Sequence, residues 1–327
     1  MSRKTLSEAE VYRIEAFLKE IEEVDHTSTV SISNERLEEV REGTRRDETL
    51  RKVGLYVLDG WPEKITADDD ELKQYAKFKE DIVMQGGILF KGNRVIVPRH
   101  LRIDMLKRLH AGHSGMDASL KLARDTVFWP RINEQIRNCV SSCLACQEAQ
   151  DKIKLPMQTH EVPAIPWQRI SMNACEIEVG NKKRKYLITV DHYSDFYEID
   201  ELKDLSGKTT VGICKRNFAR HGIPETVVTD NATQFVNDEF INFSKKWKFK
   251  HVTSSPHYPK GNGKAEATVK IAKNLIQKTS KNGEDLWLAL LIARNTPNAI
   301  DTSPVQRIFS RRTRTTIPII TEKIQMP

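Results

Sequence analysis

The sequence predicts an α/β chain in which helices pack on a mixed sheet. A small helical segment holding paired histidines and cysteines precedes that sheet, and a mainly helical stretch opens the chain. Three observations lead there. From Trp167 onward, short β-rich runs alternate with runs of helical period, the pattern of a sheet covered by helices. Between His110 and Cys146, two histidines and two cysteines stand in closely spaced pairs. In the opening stretch, Val11, Ile14, Leu18 and Ile21 recur at helical spacing behind a capping box of Ser7 and Glu10.

The elements follow in order. The first 80 residues read as helical, interrupted by a loop where "GWP" and "TADDDE" stand near Gly60 to Glu71. They carry no chemical constellation and read as a packing or spacer module. In "GGILFKGNRVIVP", two β-rich runs flank Gly92-Asn93, which predicts a hairpin. "RHLRIDMLKRLHAGHSG" predicts a basic helix entering a glycine turn, "DASLKLARDTVFWP" a second helix ended at Pro130, and "RINEQIRNCVSSCLACQEAQ" a third. "DKIKLPMQTHEVPAIPW" holds three prolines before its final Trp and predicts an extended linker. Beyond it, "KYLITVDHY", "FYEIDEL", "ETVVTD" and "KHVTSS" are strands. "SGKTTVGICKRNFARHG", "NDEFINFSKKWK", "GKAEATVKIAKNLIQK" and "DLWLALLIARNTPN" are helices.

Composition narrows the function classes. The 327 residues are 39% hydrophobic and 30% charged, enough apolar material for two or three ordinary cores. A net charge of +7 permits a polyanionic partner without requiring one. No run approaches the roughly 20 apolar residues of a membrane span, and the start lacks an apolar signal core, so an intracellular chain without a membrane partner is expected. Three of the five cysteines crowd between Cys139 and Cys146, which in a reducing compartment points to metal before disulfide.

His110 and His113 form a His-x2-His pair, Cys143 and Cys146 a Cys-x2-Cys pair, with 29 residues between. Zinc takes four tetrahedral nitrogen and thiolate ligands, and each short pair can chelate from one turn. Four protein ligands leave no open position, so such a site would be structural, stapling helices too small for a core of their own. Ordinary buried cysteines beside helix-end histidines are the alternative, and the two pairs together favour zinc. Cys139 shares a helical face with Cys143 and reads as core.

Asp230 ends a buried apolar run in "TVVTDNATQF", and Glu266 stands early in a later helix with 35 residues between them. A strand-end aspartate and a helix glutamate can converge over a sheet edge. Converging carboxylates hold Mg²⁺ or Mn²⁺, ions able to activate an oxygen nucleophile against a phosphodiester. Lys270 and Lys273 follow on the same helical face, suited to a phosphate backbone. Taken alone, Asp230 reads equally as a turn residue, and Glu266 with Lys270 as a surface i,i+4 pair.

The residues together carry a resemblance. The two His and two Cys with "GHSG", "VFWP" and "CLACQ", then "PWQRI", "YLITVDHYSDF", "FARHGIPETVVTDNATQF" and "HVTSSPHYPKGNGKAE", resemble a retroviral-type integrase. More narrowly they resemble the integrase region of Pol from gypsy-type LTR retrotransposons, from about Gly86 to Pro318. The resemblance implies a helical spacer over 1–84, a hairpin and zinc-binding domain over 85–150 and a linker over 151–165. It further implies an RNase H-like catalytic core over 166–282 and a helical extension with a basic tail over 283–327, where the family's usual small C-terminal DNA-binding domain is expected to be missing. It implies 3′-end processing and strand transfer of element DNA into target DNA through a D,D-35-E triad with two Mg²⁺ ions, by a homo-oligomer working in the nucleus after a cytoplasmic particle stage. Asp230 matches the second carboxylate, Glu266 the third, and Asn231, Asn262 and Lys270 match positions near the DNA end.

The first carboxylate is the departure. The family places it a few residues after the Trp of "PW", within the first strand, where this chain has Asn173. Asp191 matches a position that is not catalytic, and Glu176, three residues on, points to the opposite strand face. An amide oxygen carries no charge, so impaired activity is expected. The second reading is a non-catalytic nucleic-acid-binding or interaction module derived from an integrase.

Overall fold

The computed structural model describes residues 30–63, 65, 70–148, 163–179, 182–253, 263–298 and 301–319, with the backbone alone for 263–266. The Ser7 capping box, most of the 151–165 linker and Asn262 lie outside the described residues. The chain divides into two compact units. Of the described residues, one unit combines those within 30–103, 124–130 and 316–319, and the other those within 104–123 and 131–315.

In the first unit, helices α1 (Asn34–Arg46), α2 (Glu48–Asp59) and α3 (Asp70–Ala76) accompany strands β1 (Ile82–Gln85), β2 (Ile88–Lys91), β3 (Arg94–Ile96) and β4 (Val127–Phe128). The sheet order is β1-β2-β3-β4, antiparallel except for the parallel β3–β4 pair. Phe90 faces Val95 and Lys91 faces Arg94 across the hairpin, and Gly92 supplies its positive φ of 52°. Strand β2 is buried on both faces. Leu89 joins Leu50, Val53, Leu72 and Tyr75, whereas Ile88 and Phe90 join Val30, Ile32 and Val40. The N-terminal helices therefore pack on both faces of the hairpin, and the boundary read from sequence at 84/85 falls inside β1. That strand is four residues long with one buried side chain, too little to stand out beside helical runs. The end of the chain differs as well. Ser31 N–H donates to the Ile319 carbonyl at 2.7 Å and Ile317 and Ile319 are buried, so residues 316–319 join this unit rather than the 283–327 extension.

The second unit opens with α4 (Arg102–His110), whose first two residues belong to the other unit. Then come α5 (Met116–Thr126), α6 (Ile132–Ser141) and α7 (Leu144–Gln147). Helix α5 stops short of Pro130 because Val127 and Phe128, both of high β propensity, pair with Val95 and Ile96. The single helix read over 131–150 breaks at Ser142. Ser141 and Ser142 bond back to the carbonyls of Asn138 and Cys139, competing with the helix ladder, and Cys143 is extended.

The larger sheet comprises β5 (Arg169–Val179), β6 (Lys182–Asp191), β7 (Tyr197–Leu202), β8 (Thr226–Thr229) and β9 (Lys250–Thr253), in the order β7-β6-β5-β8-β9. The β7-β6-β5 half is antiparallel, and β8 and β9 are added parallel. Helices α8 (Gly207–His221), α9 (Thr233–Val236) and α10 (Asp238–Trp247) cover one face, where Ile170, Met172 and Leu187 meet Phe218, Phe240 and Phe243. Helices α11 (Gly263–Asn282) and α12 (Leu286–Asn295) cover the other, where Cys175, Ile177 and Ile188 meet Ala272, Leu275 and Leu290. Helix α13 (Pro304–Phe309) closes the described part of this unit, opened by a capping box of Ser303 and Gln306. No helix among the described residues is long and apolar enough to cross a membrane.

Glu198 on β7 joins three elements. It accepts from His221 Nε2 at 2.8 Å at the end of α8, and from Arg294 Nη2 at 2.6 Å on α12. Burial alone would raise its pKa, but His221 and Arg294 hold the carboxyl at about 2. A depressed folded pKa stabilises the fold above the unfolded value near 4.5 and loses that contribution as pH falls to about 2. Glu198→Gln should cost on the order of 3 kcal/mol at pH 7. Urea unfolding of the two proteins should converge between pH 4.5 and 2, and parallel acid limbs would contradict this role.

Candidate functional site

The four His and Cys ligand candidates are brought together. One ligand atom from each of His110, His113, Cys143 and Cys146 lies within 4.8 Å of the others. His110 ends α4. His113 follows in a turn at φ 45°, a left-handed conformation that returns its ring toward the cysteines. The extended Cys143 and the short α7 deliver the thiols. Cys146 Sγ is 3.4 Å from both His110 Nε2 and His113 Nδ1, and Cys143 Sγ is 3.7 Å from His113 Nδ1. A tetrahedral ion bonded at roughly 2.0–2.1 Å to nitrogen and roughly 2.3 Å to sulfur sets those atoms about 3.5 Å apart. The donor set therefore fits zinc in type and in spacing. Burial holds His110 in the neutral, ligating form, its pKa pulled down to about 4. Burial also pushes the Cys146 thiol up to about 11, a penalty on the thiolate that a bound cation would reverse. Cys139 is half-buried and stands outside this group.

The second constellation lies at the centre of the larger sheet. The last register pair between β5 and β8 is Met172 with Thr229. One residue further along each strand come Asn173 and Asp230, so the two are neighbours across parallel strands. Asn173 alternates with Met172 and so lies on the face covered by α11 and α12. Asp230 is half-buried, and its Oδ1 accepts from Ala232 N–H at 3.1 Å. The Thr229 hydroxyl donates to the Asp230 carbonyl at 2.9 Å and contacts His251 Nε2 at 2.9 Å. With its one proton committed, that hydroxyl accepts from a neutral His251, whose pKa burial lowers. These contacts fix the strand end that carries Asp230.

Glu266 lies in the first turn of α11, the helix packed on β5, and Lys270 and Lys273 follow along it. Lys270 is exposed and Lys273 half-buried. The Lys273 charge acts on Cys175, two residues from Asn173 on the same face of β5, partly offsetting the burial that raises that thiol. Asn231 is exposed just beyond Asp230. Two aspartate and glutamate alternatives are otherwise engaged. Glu176 points to the face opposite Asn173 and pairs with Lys185 at 3.7 Å. Asp191 is wholly buried and accepts from Trp167 N–H, Ser194 N–H and the Ser194 hydroxyl at 3.0, 3.0 and 2.5 Å, holding the entry to β5 against the turn after β6.

Sequence reading misses two residues beside the metal group. Glu284 Oε2 lies 2.7 Å from His113 Nε2, and Lys278 Nζ lies 3.6 Å from Cys146 Sγ. Glu284 is 171 positions from His113, and a lone glutamate in a turn carries no local signal of such a role.

Comparison with known proteins agrees with this arrangement. Residues 97–152 match the integrase zinc binding domain, and residues 163–259 match the integrase core domain. The uncharacterized protein K02A2.6 of Caenorhabditis elegans is 30% identical over 292 residues, which are 85% of this chain and 22% of that protein. Gypsy retrotransposon integrase-like protein 1 of Rattus norvegicus is 22% identical over 291 residues, 83% of this chain and 56% of that protein. The chain thus spans between about a fifth and about half of the length of these curated relatives. A chain in the structure of the simian T-cell lymphotropic virus intasome in complex with PP2A regulatory subunit B56 gamma superposes with a TM-score of 0.43 at 20% identity, over 63% of this chain and 75% of that one. A zinc-binding domain followed by a core domain, over the four-ligand group and the five-stranded sheet in that order, makes this part of the chain a retroviral-type integrase region.

Proposed function

We propose that this chain is a gypsy-type retrotransposon integrase whose core descends from an enzyme of metal-dependent 3′-end processing and strand transfer, and whose activity is impaired at Asn173. The observation that carries the reading is the strand register. It sets Asn173 beside Asp230, on the sheet face over which α11 carries Glu266. In this reading Asp230 and Glu266 are the surviving carboxylates. Asn231, Asn262, Lys270 and Lys273 approach the DNA, and His110, His113, Cys143 and Cys146 hold a structural zinc ion. Element ends and target DNA are the partners, a homo-oligomer is the working form, and the nucleus is the place of action after a cytoplasmic particle stage. The domain division read from sequence, a zinc module ahead of an RNase H-like core, belongs to the same reading.

Magnesium or manganese, when bound, supplies Lewis acidity to the attacking and leaving oxygens. Two carboxylates and an amide carry the charge for one such ion rather than for a pair, because the Asn173 oxygen is neutral. The chain's own residues retain orientation of the DNA end and lose the electrostatic stabilisation the first carboxylate gives. A binding module without turnover is the second reading, favoured by the same amide, and the same experiment separates them.

The experiment is strand transfer with Mn²⁺ and a matched element end, comparing the natural chain with Asn173→Asp. The revertant is expected to exceed the natural chain by at least about 100-fold, the usual size of a lost electrostatic contact at a reacting phosphate. Equal rates would refute the impairment, and DNA binding with no turnover in either protein would favour the module. A second test concerns Lys270. Lys270→Ala should weaken end binding uniformly across sequences and reduce the slope of log affinity against log salt by about 1. An unchanged slope in a filter-binding titration would remove Lys270 from the DNA path.

A further inference from the structure

We infer that Glu284 is the carboxylate that orients His113 for its metal, so that core helix α11 and the zinc site are one mechanical unit within the same chain. This rests on the zinc reading proposed above and adds to it a residue outside the zinc-binding match, which ends at residue 152.

The geometry gives each ring nitrogen of His113 a separate task. Nδ1 faces Cys143 and Cys146, and Nε2 faces Glu284 Oε2 at 2.7 Å. An imidazole that ligates through Nδ1 must carry its proton on Nε2, and a carboxylate accepting that proton fixes both tautomer and ring plane. It also makes the ligating nitrogen more basic. His110 has no equivalent among the described residues, since its Nδ1 is buried without a hydrogen-bond partner. Lys278 adds a cation beside Cys146 Sγ and donates to the His113 carbonyl at 3.4 Å. Two thiolates neutralise a divalent zinc ion, and Lys278 neutralises Glu284, so the whole assembly carries no net charge when loaded.

Both residues come from the end of α11. Lys278 lies in its last turns and Glu284 just after Gly283, the φ 65° residue that terminates it. The next helix adds a close approach, because a Cβ on Gly112 would stand 3.0 Å from Ala293 N, so the turn between the two histidines sits directly on the α12 backbone. Glu266 lies in the first turn of the same α11. A 20-residue helix is a rod of about 30 Å, so pinning its far end limits the angles its first turn can take over β5.

The test uses the full chain loaded with Co²⁺ as the spectroscopic probe and then titrated with Zn²⁺ against a chelator. The natural chain is expected to show the intense visible bands of a tetrahedral thiolate site. Glu284→Ala should weaken zinc affinity by about 10- to 100-fold, Glu284→Gln by less, and Glu284→Asp should recover part of the loss. Glu284 has a side chain 40% exposed, so these variants are expected to fold, and circular dichroism of each checks it. The rise in melting temperature on adding zinc should shrink in Glu284→Ala in step with its affinity. Equal zinc affinity in Glu284→Ala and the natural chain overturns the inference and leaves the zinc site standing. A natural chain that binds no Co²⁺ overturns the zinc reading and the inference with it.

Discussion

Strand β5 is hydrogen-bonded along both edges and covered on both faces, and the other elements of the larger unit take their positions from it. Its antiparallel partner β6 and parallel partner β8 fix its register from two sides. Slipping either by one residue would turn Ile170 and Met172 from the phenylalanine cluster toward α11, and Ile177 the other way. Each such side chain contributes about 1.5–3 kcal/mol on burial, so a slip would cost several of them at once. That cost locks Asn173 beside Asp230 as firmly as it locks the core.

The same constraint explains how an asparagine can stand at this place without damage to the fold. Asparagine and aspartate are nearly the same size, and Asn173 is only half-buried at the end of the paired segment. Packing on β5 is carried by its neighbours. In the proposed reading what an asparagine changes here is charge, and β5 itself carries no carboxylate on that face. Glu176 is paired on the opposite face and Asp191 is consumed by backbone and hydroxyl donors. In the proposed reading, folding and chemistry therefore respond to this residue separately.

Helix α11 gives the unit a second organising element. It covers one face of β5, carries Glu266 near its start, and ends among the residues that surround the His and Cys group. Buried thiols and imidazoles are costly in isolation, as the raised Cys146 and lowered His110 pKa values indicate. The family relation and the ligand spacing make that cost intelligible as preparation for a cation.

Much of this was legible in the residues alone. The alternation after Trp167 foretold the strands and the long helices of the large sheet, because period-two and period-3.6 patterns survive wherever one face is buried, whereas the short α9 and α13 went unread. The two short ligand pairs foretold the gathering of His110, His113, Cys143 and Cys146, because each pair is brought together locally. Where the reading failed, the cause was non-local. Helix α5 ended early because Val127 and Phe128 found a partner in β3, and residues 82–85 became a strand because β2 lay alongside. A strand is defined by its neighbour, and no local pattern reports who the neighbour will be.

The sequence by itself determined the ligand types, the order of the main elements after Trp167 and the neutral side chain at Asn173, since these are properties of residue identity and spacing. Only the tertiary structure decided that Asn173 and Asp230 lie on adjacent strands and that Asp191 is structural. It alone brought Glu284 to His113 across 171 positions of chain. Each of those facts depends on which surfaces the core brings together, and that is settled by packing of the whole unit rather than by any segment of it.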